Sequence, residues 1–264
     1  MTKQPPQRAR GKERGLLYGV NPVLEALRAD RLPHDIVIAE GVRDQRLREL
    51  IELAHAKRVS IKHAPRPKLD REAGTAQHQG VIAYVSSATY ADADELIDSI
   101  SDSGRAPLIL VLDGIEDPRN LGAILRTAEC AGVDGIFIPE RRAAGLNETV
   151  AKASAGASEH LSIARVTNLS VLIRQLKERN LWVVGTAGDA PIDYGEWDWR
   201  RPTAVVLGAE GSGLHRLVRE NCDALVRIPV RGKIESLNVS VAAGVVLYEA
   251  LRQRAAEAKN IDSR

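Results

Sequence analysis

Apolar residues along this chain fall into two patterns that take turns from one end to the other: short continuous or alternating runs, and longer stretches at helical spacing. After the opening LLYGV, NPVLEALRADR carries helical spacing and DIVIAE reads as a strand. RDQRLRELIELAHAKR follows as an amphipathic helix, VSIKHA as a strand, KLDREAG as a short helix and GVIAYVSS as a strand. This predicts a small α/β unit of about 70 residues.

A second unit opens at LILVLD (108–113), a continuous apolar run suited to a strand buried on both faces. Asp117-Pro118 starts a helix with a cap and a proline in its first turn, and Gly132 ends it. GIFIP follows as a strand, a helix is expected near 147–156, and HLSIARV and LWVVGTA flank a helix that Asn168 can cap. AVVLG, DALVRIPV and a C-terminal helix from about Asn238 complete the pattern. Strands alternating with helices imply a parallel sheet covered on both faces, where ligands bind beyond the carboxyl ends of the strands. The acidic stretch YADADELIDSISDSGR between the units reads as a connector, partly helical because Asp92 and Glu95 stand at capping-box spacing.

Composition narrows the class. At 264 residues, 44% hydrophobic and 27% charged, the chain is long enough and apolar enough to bury a core, which excludes fibrous and wholly disordered readings. Its net charge of +2 conceals an uneven distribution. Residues 1–15 carry five Lys/Arg against one acid, 16–87 carry eleven against nine, 88–105 carry one against five, and the remainder carries twenty of each. The expected division is therefore a basic disordered arm (1–15), a mildly basic module (16–87), an acidic linker (88–105), a neutral body (106–256) and a tail (257–264). The arm reads equally as a nucleic-acid contact and as a solvated tail. Only 3% of residues are aromatic, which disfavours a stacking platform for single strands. Cys130 and Cys222 lie outside any CxxC and fit a reducing compartment. The first fifteen residues lack the apolar centre of a signal peptide and no run of 18 apolar residues occurs, so a cytoplasmic protein without a membrane partner is expected.

Three loops in the second unit follow strand ends: 185–188, 208–213 and 230–238. Their glycines let a ligand approach the main chain closely, although each loop alone also reads as an ordinary strand-to-helix turn. Phosphate-loop spacing fails around Gly232-Lys233, and GAEGSG reverses the dinucleotide fingerprint far from the first βα turn. His34, His55, His63, His78, His160 and His215 form no metal-ligand spacing, so no metal is expected and most read as surface or packing residues.

Taken together, Asp117-Pro118-Arg119-Asn120-Leu121-Gly122 running to Arg126, VVLGAEGSGL (205–214) and IPVRGKIESLNVSVAAGVVLYEA (228–250) resemble the three motifs of the SPOUT superfamily, within it the TrmH/RlmB branch of RNA ribose 2′-O-methyltransferases. YGVNPVLEAL and His78-Gln79-Gly80-Val81 resemble the start and end of that branch's front domain, so the likeness spans roughly residues 16–256. The resemblance implies a small N-terminal α/β substrate-binding domain of the ribosomal-protein-L30e-like kind and a C-terminal α/β domain with a parallel sheet and a trefoil knot. It also implies S-adenosylmethionine as methyl donor, a homodimer, and 23S ribosomal RNA as partner, with methylation at a guanosine. A tRNA guanosine enzyme, an rRNA adenosine enzyme and a noncatalytic ribosome-assembly protein remain open beside it.

Carried over residue by residue, Arg126 takes the catalytic position. A guanidinium is a poor base, so stabilising the developing alkoxide or holding a neighbouring phosphate is the easier role, and the proton acceptor stays unassigned. Asn120 joins it, or else serves the first helical turn. Glu210 orients Arg126 through a bidentate pair, or is a solvated loop carboxylate. Ser236 and Asn238 cap the last helix and contact cofactor or substrate. Thr186, Gly188, Gly208, Ile228 and Leu237 fall at cofactor-contacting positions, and Arg231 and Lys233 meet RNA phosphate or are simply solvated.

Overall fold

The structure, a computed structural model, describes residues 14–42, 45–86, 90–102 and 104–261. It divides into two units, Met1–Thr89 and Tyr90–Arg264.

In the first unit, β1 (Arg14–Tyr18), α1 (Val20–Arg28), β2 (Asp35–Ala39), α2 (Gln45–Ala56), β3 (Ser60–Ala64), α3 (Arg66–Ala73) and β4 (Val81–Ser86) follow one another. The sheet runs β1-β4-β2-β3, with β4 antiparallel to both neighbours and β2 parallel to β3. Arg14 and Gly15, expected at the end of a disordered arm, instead pair with Ser86 and Val85; the rest of that arm lies outside the described residues. The His78-Gln79-Gly80 run is a tie between elements. Buried His78 accepts the Gly80 N–H at Nδ1 (2.9 Å) and faces Asp70 of α3 through Nε2 (2.8 Å). Gln79 Oε1 accepts the Val20 N–H (3.1 Å), satisfying an open donor at the head of α1, whose N-cap Gly19 has no side chain to do so.

The second unit contains α4 (Ala93–Ser101), β5 (Leu108–Asp113), α5 (Pro118–Cys130), β6 (Gly135–Pro139), α6 (Glu148–Ala153), β7 (Ile163–Val166), α7 (Leu169–Glu178), β8 (Trp182–Thr186), β9 (Ile192–Asp193), β10 (Thr203–Gly208), α8 (Arg216–Asn221), β11 (Ala224–Arg227) and α9 (Val239–Ile261). Its seven strands are all parallel, in the order β7-β6-β5-β10-β8-β11-β9. β5 and β10 are buried at every position, as strands between two helical layers must be. Asp117 caps α5, Asn147 caps α6 and Asn168 caps α7. Gly122 is where α5 meets α6: a Cβ there would stand 2.4 Å from that of Ala153. On α9, Val239, Ala243, Val246, Leu247 and Ala250 are buried, and this stripe packs toward α5.

The acidic stretch expected as a partly helical linker contains α4: Asp92 accepts the Asp94 and Glu95 N–H groups at its head, and, beyond what a linker implies, Leu96, Ile97 and Ile100 are buried in the core beside Phe137 and Ala164. The tail expected from 257 is helical through Ile261.

Candidate active site

The site grows from the pairing of β5 with β10. Asp113 and Gly208 stand in register at the carboxyl ends of these strands, so the loops that follow leave the sheet side by side. The β10 loop folds straight back, with Ala209 N–H donating to Gly213 O (3.0 Å) and Gly213 N–H to Ala209 O (2.9 Å). That pinch needs glycine: Gly211 and Gly213 sit at φ 84° and 67°, and a Cβ on Gly208 would fall 2.2 Å from the Gly213 carbonyl carbon.

The pinch presents Glu210 to the first turn of α5. Asn120 Nδ2 donates to Glu210 Oε2 (3.1 Å), and Asn238 Nδ2 donates to Asn120 Oδ1 (3.0 Å). Asn238 Oδ1 in turn accepts the Ser240 N–H (2.9 Å) and hydroxyl (2.6 Å) at the head of α9. Residues from three separate motifs thus form one hydrogen-bonded chain. Of these, Asn120 and Glu210 border a cleft of about 460 Å³ that Arg142, His215 and Val239 also line.

Beneath the cleft, Asp113 is 3% exposed and accepts the His215 N–H at Oδ2 (2.7 Å) while its Oδ1 faces His215 Nδ1 (2.8 Å). Gly114 sits beside the ring at φ 81°, a conformation that favours glycine; a Cβ there would lie in contact with His215 Cε1 at 3.4 Å. Reading the sequence missed Asp113, Arg142 and His215. The signal for Asp113 was present, since it is the one ionisable residue closing an otherwise apolar strand.

The remaining expected residues are placed differently. Arg126 is exposed on α5, six positions beyond Asn120 and, at about 100° per residue, roughly a third of the way round the helix from it. The bidentate pair expected between Arg126 and Glu210 is therefore not formed; the partner of Glu210 is Asn120. Ser236 is exposed and does not cap α9, because Asn238 does. Arg231 and Lys233 are exposed in the 229–238 loop, and no ion pair holds either among the described residues.

Thr186, Gly188, Gly208, Ile228 and Leu237 gather at the carboxyl ends of β8, β10 and β11 or in the loop beyond. Thr186 turns its hydroxyl inward to Val206 O (3.3 Å). A Cβ at Gly188 would meet nothing within 4 Å. Gly188, Ile228 and Leu237 form no main-chain hydrogen bond with other main chain among the described residues, and Leu237 is 39% exposed. Open amides and carbonyls beside apolar side chains suit a ligand with a polar heterocycle and an amino-acid end. At the rim, Arg219 grips Asp189 with two bonds (2.9 and 3.0 Å) and holds that carboxyl below its ordinary range. Among the described residues, no three His, Cys, Asp or Glu are grouped to hold a metal, and no helix is long and apolar enough to cross a membrane.

Comparison with known proteins places the fold and the family. Residues 107–248 match the SpoU rRNA Methylase family, and residues 16–91 match the RNA 2′-O ribose methyltransferase substrate-binding family. The 23S rRNA (guanosine-2′-O-)-methyltransferase RlmB of Pseudomonas syringae pv. tomato is 47% identical over 248 residues, covering 92% of this chain and 97% of its own. The crystal structure of the SpoU methyltransferase AviRb from Streptomyces viridochromogenes, in complex with AdoMet, superposes with a TM-score of 0.77 at 26% identity, covering 92% of this chain and 91% of its own. An AdoMet-bound rRNA methyltransferase from Sinorhizobium meliloti gives 0.75 at 25% identity, over 90% and 87%.

Proposed function

The chain belongs to the SpoU rRNA methylase family and is an RNA methyltransferase that uses S-adenosylmethionine, and from that premise we propose that it methylates the ribose 2′-hydroxyl of a guanosine in 23S rRNA. The Glu210–Asn120–Asn238 chain at the carboxyl edge of the sheet is the observation that carries this reading, because it fixes the Asn120 amide and the Glu210 carboxylate at the border of a cleft wide enough for a nucleoside.

The donor, when bound, supplies an electrophilic methyl on a sulfonium whose departure needs no acid. Main-chain groups of Thr186, Gly188, Gly208, Ile228 and Leu237 would hold it, and the side chains of Ile228 and Leu237 would supply apolar surface there. The harder task is the nucleophile, a weakly acidic hydroxyl that must be aligned and relieved of its proton. Asn120, Glu210, Ser236 and Asn238 align the ribose, and Arg126 stabilises the developing oxyanion or the adjoining phosphate. Arg231 and Lys233, exposed and without an ion pair among the described residues, contact the RNA backbone.

Two copies of the chain work together in the cytoplasm. Val241, Tyr248 and Leu251 are 52%, 51% and 37% exposed along one side of α9, an apolar stripe that a second copy covers. The residues 16–87 supply RNA recognition, and the polypeptide around β10, β11 and α9 is threaded as a trefoil knot.

Mass-spectrometric mapping of ribose methylation in rRNA and tRNA, from a strain lacking the gene and from its complement, tests the substrate. One guanosine of 23S rRNA that loses and regains its methyl group supports the reading. A change confined to tRNA, or to an adenosine, overturns it.

A further inference from the structure

We propose that His215 accepts the proton of the ribose 2′-hydroxyl, and that Asp113 holds its ring in the tautomer able to do so; this rests on the ribose-methylation reading above. Arg126 cannot take this role, since its guanidinium is already protonated. Of the other ionisable groups bordering the cleft, Asp117 accepts the Arg119 N–H as a helix cap, Glu210 is engaged by Asn120, and Arg142 is a permanent cation. Glu116 lies exposed on the rim, with no group among the described residues to orient it.

His215 is both oriented and available. Asp113 Oδ2 is anchored by the His215 N–H at 2.7 Å, which aims Oδ1 at Nδ1, 2.8 Å away. A carboxylate can only accept, so the hydrogen sits on Nδ1 and the lone pair of Nε2 is left free. Nε2 has no partner among the described residues, and the half-exposed ring borders the same cleft as Asn120 and Glu210. The buried carboxylate also stabilises the imidazolium that proton uptake creates, and it is in place before reaction. Gly114, in the same turn, sits at φ 81°, a conformation that favours glycine.

In the reacting step the O2′–H bond breaks and its proton moves to Nε2, while the O2′–CH3 bond forms. The electron pair of the S–CH3 bond stays on sulfur, leaving a neutral thioether. His215 then returns the proton to solvent at the open side of the cleft.

The test uses the full-length protein and the RNA that the wild type methylates in the mapping experiment. His215→Gln and His215→Arg are expected to lower kcat by roughly 100-fold or more, with S-adenosylmethionine affinity and melting temperature held within error. Added imidazole should restore part of the turnover of His215→Ala. Independently of turnover, ¹⁵N spectra of histidine-labelled wild type should show His215 protonated at Nδ1 and bare at Nε2. Near-wild-type turnover by His215→Arg would mean that a cation, not a base, is needed there, and would overturn the proposal; so would the opposite tautomer. A wild type that methylates no ribosomal RNA rejects the substrate reading instead, and the spectra still judge the ring.

Discussion

Asn238, at the head of α9, donates a 3.0 Å hydrogen bond to the side-chain oxygen of Asn120, 118 residues earlier, while the Asn120 amide hydrogens face Glu210. Both ends of one amide are thereby used, and its orientation is set from two directions.

Asn120→Asp is isosteric but cannot donate, so it sets a second carboxylate against Glu210 and removes the bond between them. Turnover should fall by one to two orders of magnitude, and stability by about 0.5–1.5 kcal/mol. Single-turnover kinetics and urea denaturation read the two effects. Asn120→Ala, which leaves no second charge, should cost less stability.

Arg126 stands exposed and without a protein partner among the described residues, so nothing in the fold depends on it. Arg126→Ala should leave the melting temperature and S-adenosylmethionine affinity unchanged while abolishing methyl transfer. Calorimetric titration beside a tritium-transfer assay checks this; a variant that still turns over would remove Arg126 from the reaction.

Gly208 closes β10 and Gly188 lies in the loop after β8, and the two should respond differently to an added methyl. At Gly208 the new Cβ collides with the backbone of the pinched loop, 2.2 Å from the Gly213 carbonyl carbon, so Gly208→Ala should lower both melting temperature and cofactor affinity. At Gly188 no protein atom lies within 4 Å of that Cβ, so Gly188→Ala should fold normally and lose only cofactor affinity. Thermal melts with and without S-adenosylmethionine separate the cases.

Glu249 on α9 is bonded by Arg252 (2.8 and 2.7 Å), which holds its carboxyl below the ordinary value of 4.5; Gln253 adds a further bond. A depressed carboxyl contributes stability that is fully present above 4.5 and is lost as pH falls through the lower, folded-state value. Melting temperature should therefore drop on acidification below 4.5, and Glu249→Gln should drop less over that window while starting lower at neutral pH.

Much of this was legible along the chain because it is local. Asp117, Asn168 and Asp92 each announce a helix by a side chain that reaches two or three residues ahead, and each does so in the fold. LILVLD and AVVLG announce buried strands because both their faces are apolar. What stayed hidden is set by distance. Nothing near Ser236 tells that Asn238 takes the cap alone, and nothing near Glu210 tells that its partner is Asn120 and not Arg126; both follow from how β5 and β10 pair. In the acidic stretch the cap was legible and the packing was not: five carboxylates outweigh three apolar residues, Leu96, Ile97 and Ile100, which share one side of α4 and carry it into the core.

The adjacency of β5 and β10 also sets an order of events during synthesis. These two central strands become neighbours only after the helices and strands between them have been made, and closing so long a loop is entropically slow. A nascent chain that has emerged through α8 already holds Asn120 and Glu210 but lacks Asn238. Such a chain lacks both Asn238 and Val239, the wall that α9 contributes, so the cleft is completed late, when α9 docks.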